Sequence, residues 1–434
     1  MGVQEGSEFL NVTFLFMKNS LANCLAPSVY CFLQIFNLYW LSKKEKHVLL
    51  VRRATYRGGT TMTILAAIDS FKGSASSFEL NQAALNGWFS KKGEKINRPI
   101  ADGGEGTAEA IYHALGGQWR VIEGVDLLFR KVSCRYLLTV YAGKRLAVIE
   151  STEVIGLDLL KEPTDQTIRS ASSFGLGELL KDALTQEVDQ VIVTLGGSGC
   201  SDGGLGLLQS LGAKLVGATE GNPLLTTKRI EWGKSREKFK KVQLLVAADV
   251  TSFYSGPQGA AQIYGKQKGG TKTTLAFLDK QATNLTEQIK QTTNIDLNAV
   301  SGSGAAGGIG GALLLVGGKM VSGFSLVAQL IGLEEAIKQA DLVITGEGRI
   351  DQQTINGKVP YGVAKLAKKH GKKVIALCGS REKNLGRLDE FLPSVFSIQL
   401  GPIELKKALN RQETLEKVAI MTHNLSRLVE DDLS

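Results

Sequence analysis

The chain is missing most of the signatures that assign a protein at a glance. No G-x-x-x-x-G-K-S/T segment occurs, which excludes a P-loop phosphate site as far as sequence can. Five cysteines are scattered without a C-x-x-C pair, a usage that fits reduced thiols in the cytoplasm. None of the four histidines lies near Cys200 in sequence, so that thiol reads as a small packed residue rather than a nucleophile. His113 and His370 fall on apolar or helical stretches and read as structural or solvent-facing. No basic stripe interleaved with aromatics points to nucleic acid, and no internal repeat appears. The net charge of +9 owes +4 to residues 1–61, where seven Lys/Arg meet three Asp/Glu, leaving +5 on the other 373 residues. That balance favours small anions only weakly.

Residues 21–41 carry no charge and are long enough to cross a bilayer, and Lys43, Lys44 and Lys46 behind them would face the cytoplasm. Asn23, Pro27, Gln34 and Asn37 interrupt that stretch, and no small-residue cleavage site marks a signal peptide. Met62 opens an apolar strand that needs nothing before it, and codons for Gly58-Gly59 can spell a ribosome-binding site at a suitable distance. The expectation is that residues 1–61 are a translated leader or a disordered extension, with Met62 as the start. A genuine anchor over 21–41 is the alternative.

At 434 residues the chain exceeds one ordinary core, and 43% apolar content with 50 glycines suits an α/β protein whose loops need unusual backbone angles. Strand-like apolar runs alternate with helical patterns, which predicts a mainly parallel sheet flanked by helices. Strands are expected at 64–68, 146–149, 191–195, 244–247, 342–345 and 374–378. Helices are expected over 76–89, 176–184, 274–292, 360–370 and 413–428, and a loop or domain edge over about 217–241. Both ends share one strand–loop–helix grammar. The expected fold is therefore a doubly wound α/β domain built from 62–102 plus 295–434, with a second α/β domain, 103–294, inserted in it.

What the chain does have is a set of six loops rich in glycine. They are Asp69 to Ser74, Ala101 to Thr107, Leu195 to Gly204, Ser301 to Gly311, Thr345 to Asp351, and Gly357 to Gly362. Loops of this kind at strand ends expose backbone N–H groups that cradle phosphates. Acids on the same loops can hold Mg²⁺ or accept a proton, and Lys72, Lys358 and Arg349 can neutralise a transferring phosphoryl group. The combination points to phosphoryl transfer rather than redox chemistry. Gly302 to Gly307 matches the dinucleotide fingerprint formally, but no clear strand precedes it, so the match is weak.

Taken together, DSFKGS at Asp69 to Ser74, ADGGEGT ending at Thr107, LGGSGCSDGG at Leu195 to Gly204, GAAGG at Gly304 to Gly308 and TGEGRIDQQTINGKVPYGVAK at Thr345 to Lys365 resemble the type I glycerate kinases. The motifs follow the family's order and cover nearly all of the chain from Met62. The resemblance implies transfer of the ATP γ-phosphate to D-glycerate, usually at the 2-hydroxyl, with Mg²⁺, in a cleft between two α/β domains. The family usually has Thr at Cys200, its Asn-Pro turn is lost after Asp249, and its Phe-Gly-Pro-Gln-Lys-Gly segment reads Tyr264 to Gly269 here.

On this footing Asp202 is the expected base for the glycerate hydroxyl, with Asp351 as second choice. Lys72 and Arg349 would act on the carboxylate or the transferring phosphate, and Asp69, Ser70 and Ser74 would join them in binding substrate. Glu347 and Asp102 would hold Mg²⁺. Gly196, Gly197, Ser198, Gly304, Gly307, Gly308 and Lys358 would cradle the nucleotide phosphates. The expected partners are D-glycerate and ATP, without nucleic acid or membrane, in the cytoplasm, and a homodimer is left open. Phosphorylation at the 3-hydroxyl, another small hydroxy acid as substrate, and a non-catalytic hydroxy-acid sensor remain as alternatives.

Overall fold

A computed structural model of the chain describes residues 38–43, 46–51, 62–89 and 93–431, with the side chains of 62–89 and 93–429. Residues 1–60 and 61–434 are distinct units. In the first, Leu38–Lys43 (β1) pairs antiparallel with Lys46–Val51 (β2). Most of the apolar span 21–41 lies outside the described residues, as does the segment just before Met62. Among the described residues no helix is long and apolar enough to cross a membrane.

In the second unit the strands run Ile64–Ile68 (β3), Lys95–Asn97 (β4), Gln118–Val125 (β5), Lys131–Tyr141 (β6), Lys144–Glu150 (β7), Gln190–Thr194 (β8), Lys214–Val216 (β9), Arg229–Glu231 (β10), Gln243–Ala247 (β11), Lys319–Val321 (β12), Leu342–Ile350 (β13), Lys373–Arg381 (β14) and Val395–Ser397 (β15). Two mixed α/β layers result. One is a five-stranded, all-parallel sheet of order β15-β14-β13-β3-β4. The other has six strands in the order β12-β11-β8-β7-β6-β5, parallel up to β7 and antiparallel beyond it.

The first sheet is doubly wound because its strands are apolar on both faces. In β3, Ile64, Ala66 and Ile68 pack with Leu80, Ala84 and Val418 from helices Ser77–Gly87 and Arg411–Asp431. The alternate residues Leu65 and Ala67 pack on the opposite side with Val327, Val359 and Val363. Period-two alternation between two apolar layers is what a buried parallel strand requires. Ser76 starts the first helix with a capping box: its hydroxyl accepts from the Glu79 amide while the Glu79 carboxylate accepts from the Ser76 amide.

The chain passes from the first sheet to the second between β4 and β5 and returns between β12 and β13. Since β12 pairs with β11, the six-stranded sheet recruits a strand beyond residue 294. The two crossings touch. A Cβ on Gly323 would lie 2.1 Å from the Asp102 carbonyl oxygen, and one on Gly103, at φ +90, would lie 2.5 Å from the Gly323 Cα. Only glycine permits that approach.

Candidate active site

The stretch Thr345 to Ile350 is strand, not the loop expected from its glycines, because β14 pairs with it as far as Ile350↔Arg381. Pairing with β3 stops earlier, at Gly346↔Ile68, where the chain turns away and the Asp69 amide donates to the Gly346 carbonyl at 2.9 Å. Beyond that point one edge of β13 has no strand beside it. Glu347, Gly348 and Arg349 line a cavity of about 650 Å³ there.

Three loops bring eight of the expected residues to this cavity: Asp69, Ser70, Lys72 and Ser74 after β3, Asp102 after β4, and Glu347, Arg349 and Lys358 on or after β13. Glu347 is nearly buried. Its carboxylate meets the Lys358 ammonium at 3.1 Å and accepts from the Thr354 hydroxyl at 2.5 Å. Burial pushes the Glu347 carboxyl above its usual range, against the pull of Thr354 and Lys358. Asp69 is raised further, first by burial, then by the Asp102 and Glu347 charges, with Lys72 working in the other direction. Lys72 is exposed and makes no ion pair among the described residues. Arg349 stands at the rim, held by Asp351 at 3.4 Å and Glu382 at 3.2 Å.

The crowded acids fit a hard cation. Asp102 and Glu347 offer oxygen donors, and the charge that raises Asp69 is charge a divalent ion would offset. Among the described residues no three carboxylate, His or Cys groups converge as a complete metal cage. Mg²⁺ seldom uses one, taking one or two carboxylates plus water and phosphate.

The remaining expected residues lie elsewhere. Asp202 is fully buried and lines neither cavity described here. Its carboxylate accepts from the Ser173 amide (2.7 Å) and hydroxyl (2.8 Å), the Ser172 hydroxyl (3.4 Å), and the amides of Gly204 (2.9 Å) and Gly206 (3.1 Å). Fully buried and held by these donors, the carboxylate organises its own loop. Asp351 is likewise engaged, capping the Gln352–Ile355 turn through the Gln353 amide at 2.9 Å.

The glycines of the other two loops serve close packing. A Cβ on Gly304 would meet the Phe253 carbonyl oxygen at 2.1 Å, and one on Gly307 the Cys200 carbonyl oxygen at 2.3 Å. On Gly308 a Cβ would meet the Gly203 Cα at 2.7 Å. Gly307 and Gly308 also sit at φ +74 and +96, a left-handed turn at the start of the Ala305–Leu315 helix. Gly196 abuts the Gly104 Cα, Gly197 accepts from the Leu157 amide at 2.7 Å, and the Ser198 hydroxyl accepts from Lys268 at 2.9 Å.

Three residues that shape these loops were not among the site residues expected from sequence. Lys268 is a buried ammonium that also donates to the Cys200 carbonyl at 2.5 Å, and burial lowers it to about 8. Asp249 accepts from the amides of Gly323 and Phe324, both at 3.0 Å, fixing the return crossing. Glu150, at the carboxyl end of β7, accepts from the amides of Gly106 (3.2 Å) and Ala108 (2.6 Å). It thereby anchors the far end of the loop that carries Asp102. The strand-end rule that found Asp69 would have found Glu150 as well.

Glu150 lines a second cavity of about 560 Å³, which shares Ser70, Phe71, Lys72 and Ser74 with the first. His113 also lines it, stacked on Phe78 with ring centroids 4.2 Å apart. Burial raises the Glu150 carboxyl from 4.5 to about 7, overriding its two amide donors. A carboxyl raised in the folded state contributes stability below its unfolded value, and that contribution fades as pH rises to about 7. Between pH 4.5 and 7, Glu150→Gln is expected to remove a decline on the order of 3 kcal/mol. Thermal melts of both proteins across that range would read it, and identical slopes would refute it.

Comparison with known proteins shows the family. The model of the glycerate kinase family matches residues 64–430. A glycerate kinase of Halalkalibacterium halodurans is 36% identical over 364 residues, covering 81% of this chain and 95% of that protein. The glycerate 2-kinase of Escherichia coli K12 is 38% identical over 348 residues, covering 78% and 90%. A crystal structure from Salmonella typhimurium LT2, assigned as glycerate kinase 2, superposes with a TM-score of 0.74 at 34% identity, covering 86% of this chain and 99% of that one. The fold and its relatives define a phosphotransferase, a kinase. The chain belongs to the glycerate kinase family.

Proposed function

We propose that the protein transfers the γ-phosphate of ATP to D-glycerate, giving 2-phosphoglycerate, in the cleft where its two cavities meet. One observation carries this reading: six ionisable groups from three segments of the chain, Asp69, Lys72, Asp102, Glu347, Arg349 and Lys358, line one cavity whose wall is shared with another. Two substrates that must meet in line need two such compartments with a common boundary. In the same reading the chain has two domains, the inserted one running from about residue 103 to the end of β12.

Lys72 stands on the common wall, where it would face the transferring phosphoryl group. Lys358, held by Glu347 on one side and backed by its helix N-terminus, would meet the β- and γ-phosphates. Asp69, whose carboxylate has the Ser70 amide as its one hydrogen-bond donor among the described residues, would take the hydroxyl proton as the new O–P bond forms and the bond to ADP breaks. Ser70 and Ser74 would orient the acceptor, and Arg349 would close the rim. Asp102 and Glu347 would hold Mg²⁺, which supplies charge neutralisation on the phosphates when bound. The 2-hydroxyl is favoured by the name of the Escherichia coli relative.

The test is NMR of the product from D-glycerate, ATP and Mg²⁺, beside coupled ADP release with L-glycerate, lactate and tartronate. Phosphorus coupled to the C2 proton is expected. Coupling to the C3 protons would move the transfer to the other hydroxyl, and no product from D-glycerate would overturn the reading.

A further inference from the structure

The 650 Å³ cavity is not uniform. Its charged lining comes from the loops after β3 and β4 and from β13 and the segment after it, but the apolar wall comes from the segment after β15: Ile398, Ile403, Leu405, Ala408 and Leu409. Within ten residues, Leu400, Leu405 and Leu409 leave 64%, 73% and 40% of their surface in solvent. A single exposed leucine means little, but Leu405 and Leu409 line the cavity with Ile403 and Ala408, and an apolar wall facing charged groups is the composition of a ligand site.

We propose that this wall binds the nucleoside of the phosphoryl donor, with the base lying against Leu405, Ala408 and Leu409. The inference rests on the phosphoryl-transfer reading and adds the donor's orientation. D-Glycerate carries an oxygen on each carbon and has no apolar face to offer. A nucleotide has both parts that the cavity offers: a flat apolar base and an anionic tail for Lys72, Arg349 and Lys358. The volume lies within the usual range for a ligand of that size. A base also needs its edge read, and the backbone N–H and C=O of Ile403, on the same wall, have no hydrogen-bond partner among the described residues. Ala408 is the one small side chain between the two leucines, where an aromatic ring can approach closely.

Two neutral substitutions test it. Ala408→Trp fills the wall and is expected to raise the KM for ATP at least about tenfold, and Leu405→Gln about fivefold, by loss of apolar contact. The KM for D-glycerate and the inhibition constant of inorganic tripolyphosphate, which has no nucleoside, should stay within about twofold of wild type. Leu405 is so exposed that folding does not depend on it, and thermal melts check this. Direct titration with a fluorescent N-methylanthraniloyl ATP reads the same site without turnover. An unchanged ATP KM in both variants, or equal loss of tripolyphosphate and ATP affinity, would overturn the assignment while leaving the function standing. Wild type that binds the fluorescent nucleotide but leaves D-glycerate unphosphorylated would instead sink the functional reading and keep this wall.

Discussion

Asp69→Asn is expected to slow turnover of D-glycerate by about 10²- to 10⁴-fold, the range for loss of a positioned proton acceptor. KM for both substrates should change by less than about threefold, because the amide keeps the shape and one acceptor oxygen. Stability should move the other way. Burial and the neighbouring Asp102 and Glu347 charges raise the Asp69 carboxyl, so its charged form is disfavoured in the folded protein. The sign follows: a group raised on folding contributes stability below its unfolded pKa of about 3.8 and loses it as pH rises through the folded value. At neutral pH a neutral amide is therefore expected to melt no lower than the wild type, and higher if the acid trio is uncompensated. Activity lost together with stability kept or gained is the mark of a functional group held at a cost. Coupled ADP release and a thermal melt on the same sample decide it. A variant that turns over at a third or more of the wild-type rate would remove Asp69 from the chemistry.

The lysines around Asp69 connect its position to its chemistry. Lys72 has no competing carboxylate partner among the described residues, whereas Lys358 is held by Glu347, which is itself fixed by Thr354. In the proposed transfer one cation would be free to follow the phosphoryl group, and the other would be fixed in advance. Preorganised charge of the second kind costs no rearrangement at the moment of reaction. The position of Glu347 depends on β13 continuing past Gly346 without β3 beside it. The lack of β3 beside this part of β13 leaves the cavity space for a ligand, and the two-residue period of the strand puts Glu347 and Arg349 on one face.

How much of this was legible in sequence depended on what each residue's surroundings add. The longer parallel strands could be read, since Ile64 to Ile68 and Val191 to Val193 are apolar throughout, as burial on both faces demands, whereas the three-residue β4, β12 and β15 could not. β5 could not, because Gln118-Trp119-Arg120-Val121 mixes polar and half-buried residues at a sheet edge. Asp69 and Asp102 were expected from their places after strands, a rule that concerns topology and needs no distances, and both line the cavity that Glu347 and Lys358 also line. The glycine loops were ambiguous in sequence because a phosphate cradle and a close loop–loop contact both require glycine, and Gly307 against Cys200 makes the close contact. Lys268 was invisible for the opposite reason. Lysine is so regularly exposed that nothing in sequence marks one that is buried.

Asp202 shows most sharply why burial decides a role. From sequence it is an acid between glycines, indistinguishable from Asp102. In the structure it gathers Ser172, Ser173, Gly204 and Gly206 around one carboxylate. Asp202→Asn puts an NH₂ group where up to four donors already point, so at least one buried donor is left facing another. The expected cost is about 3 kcal/mol, in the range for removing a buried hydrogen-bond acceptor from charged or multiple donors. The loss should appear as a lower denaturation midpoint with unchanged slope. Turnover per folded molecule should stay within about threefold of wild type, since the carboxylate touches neither cavity. Ser173→Ala, which removes one of the same donors, should couple with it: the double variant is expected to lose less than the sum of the two single losses. A roughly thousandfold fall in turnover with an unchanged midpoint, the size of effect that loss of a general base produces, would restore Asp202 as a participant in proton transfer and place the reacting hydroxyl beside the Cys200 to Gly204 loop.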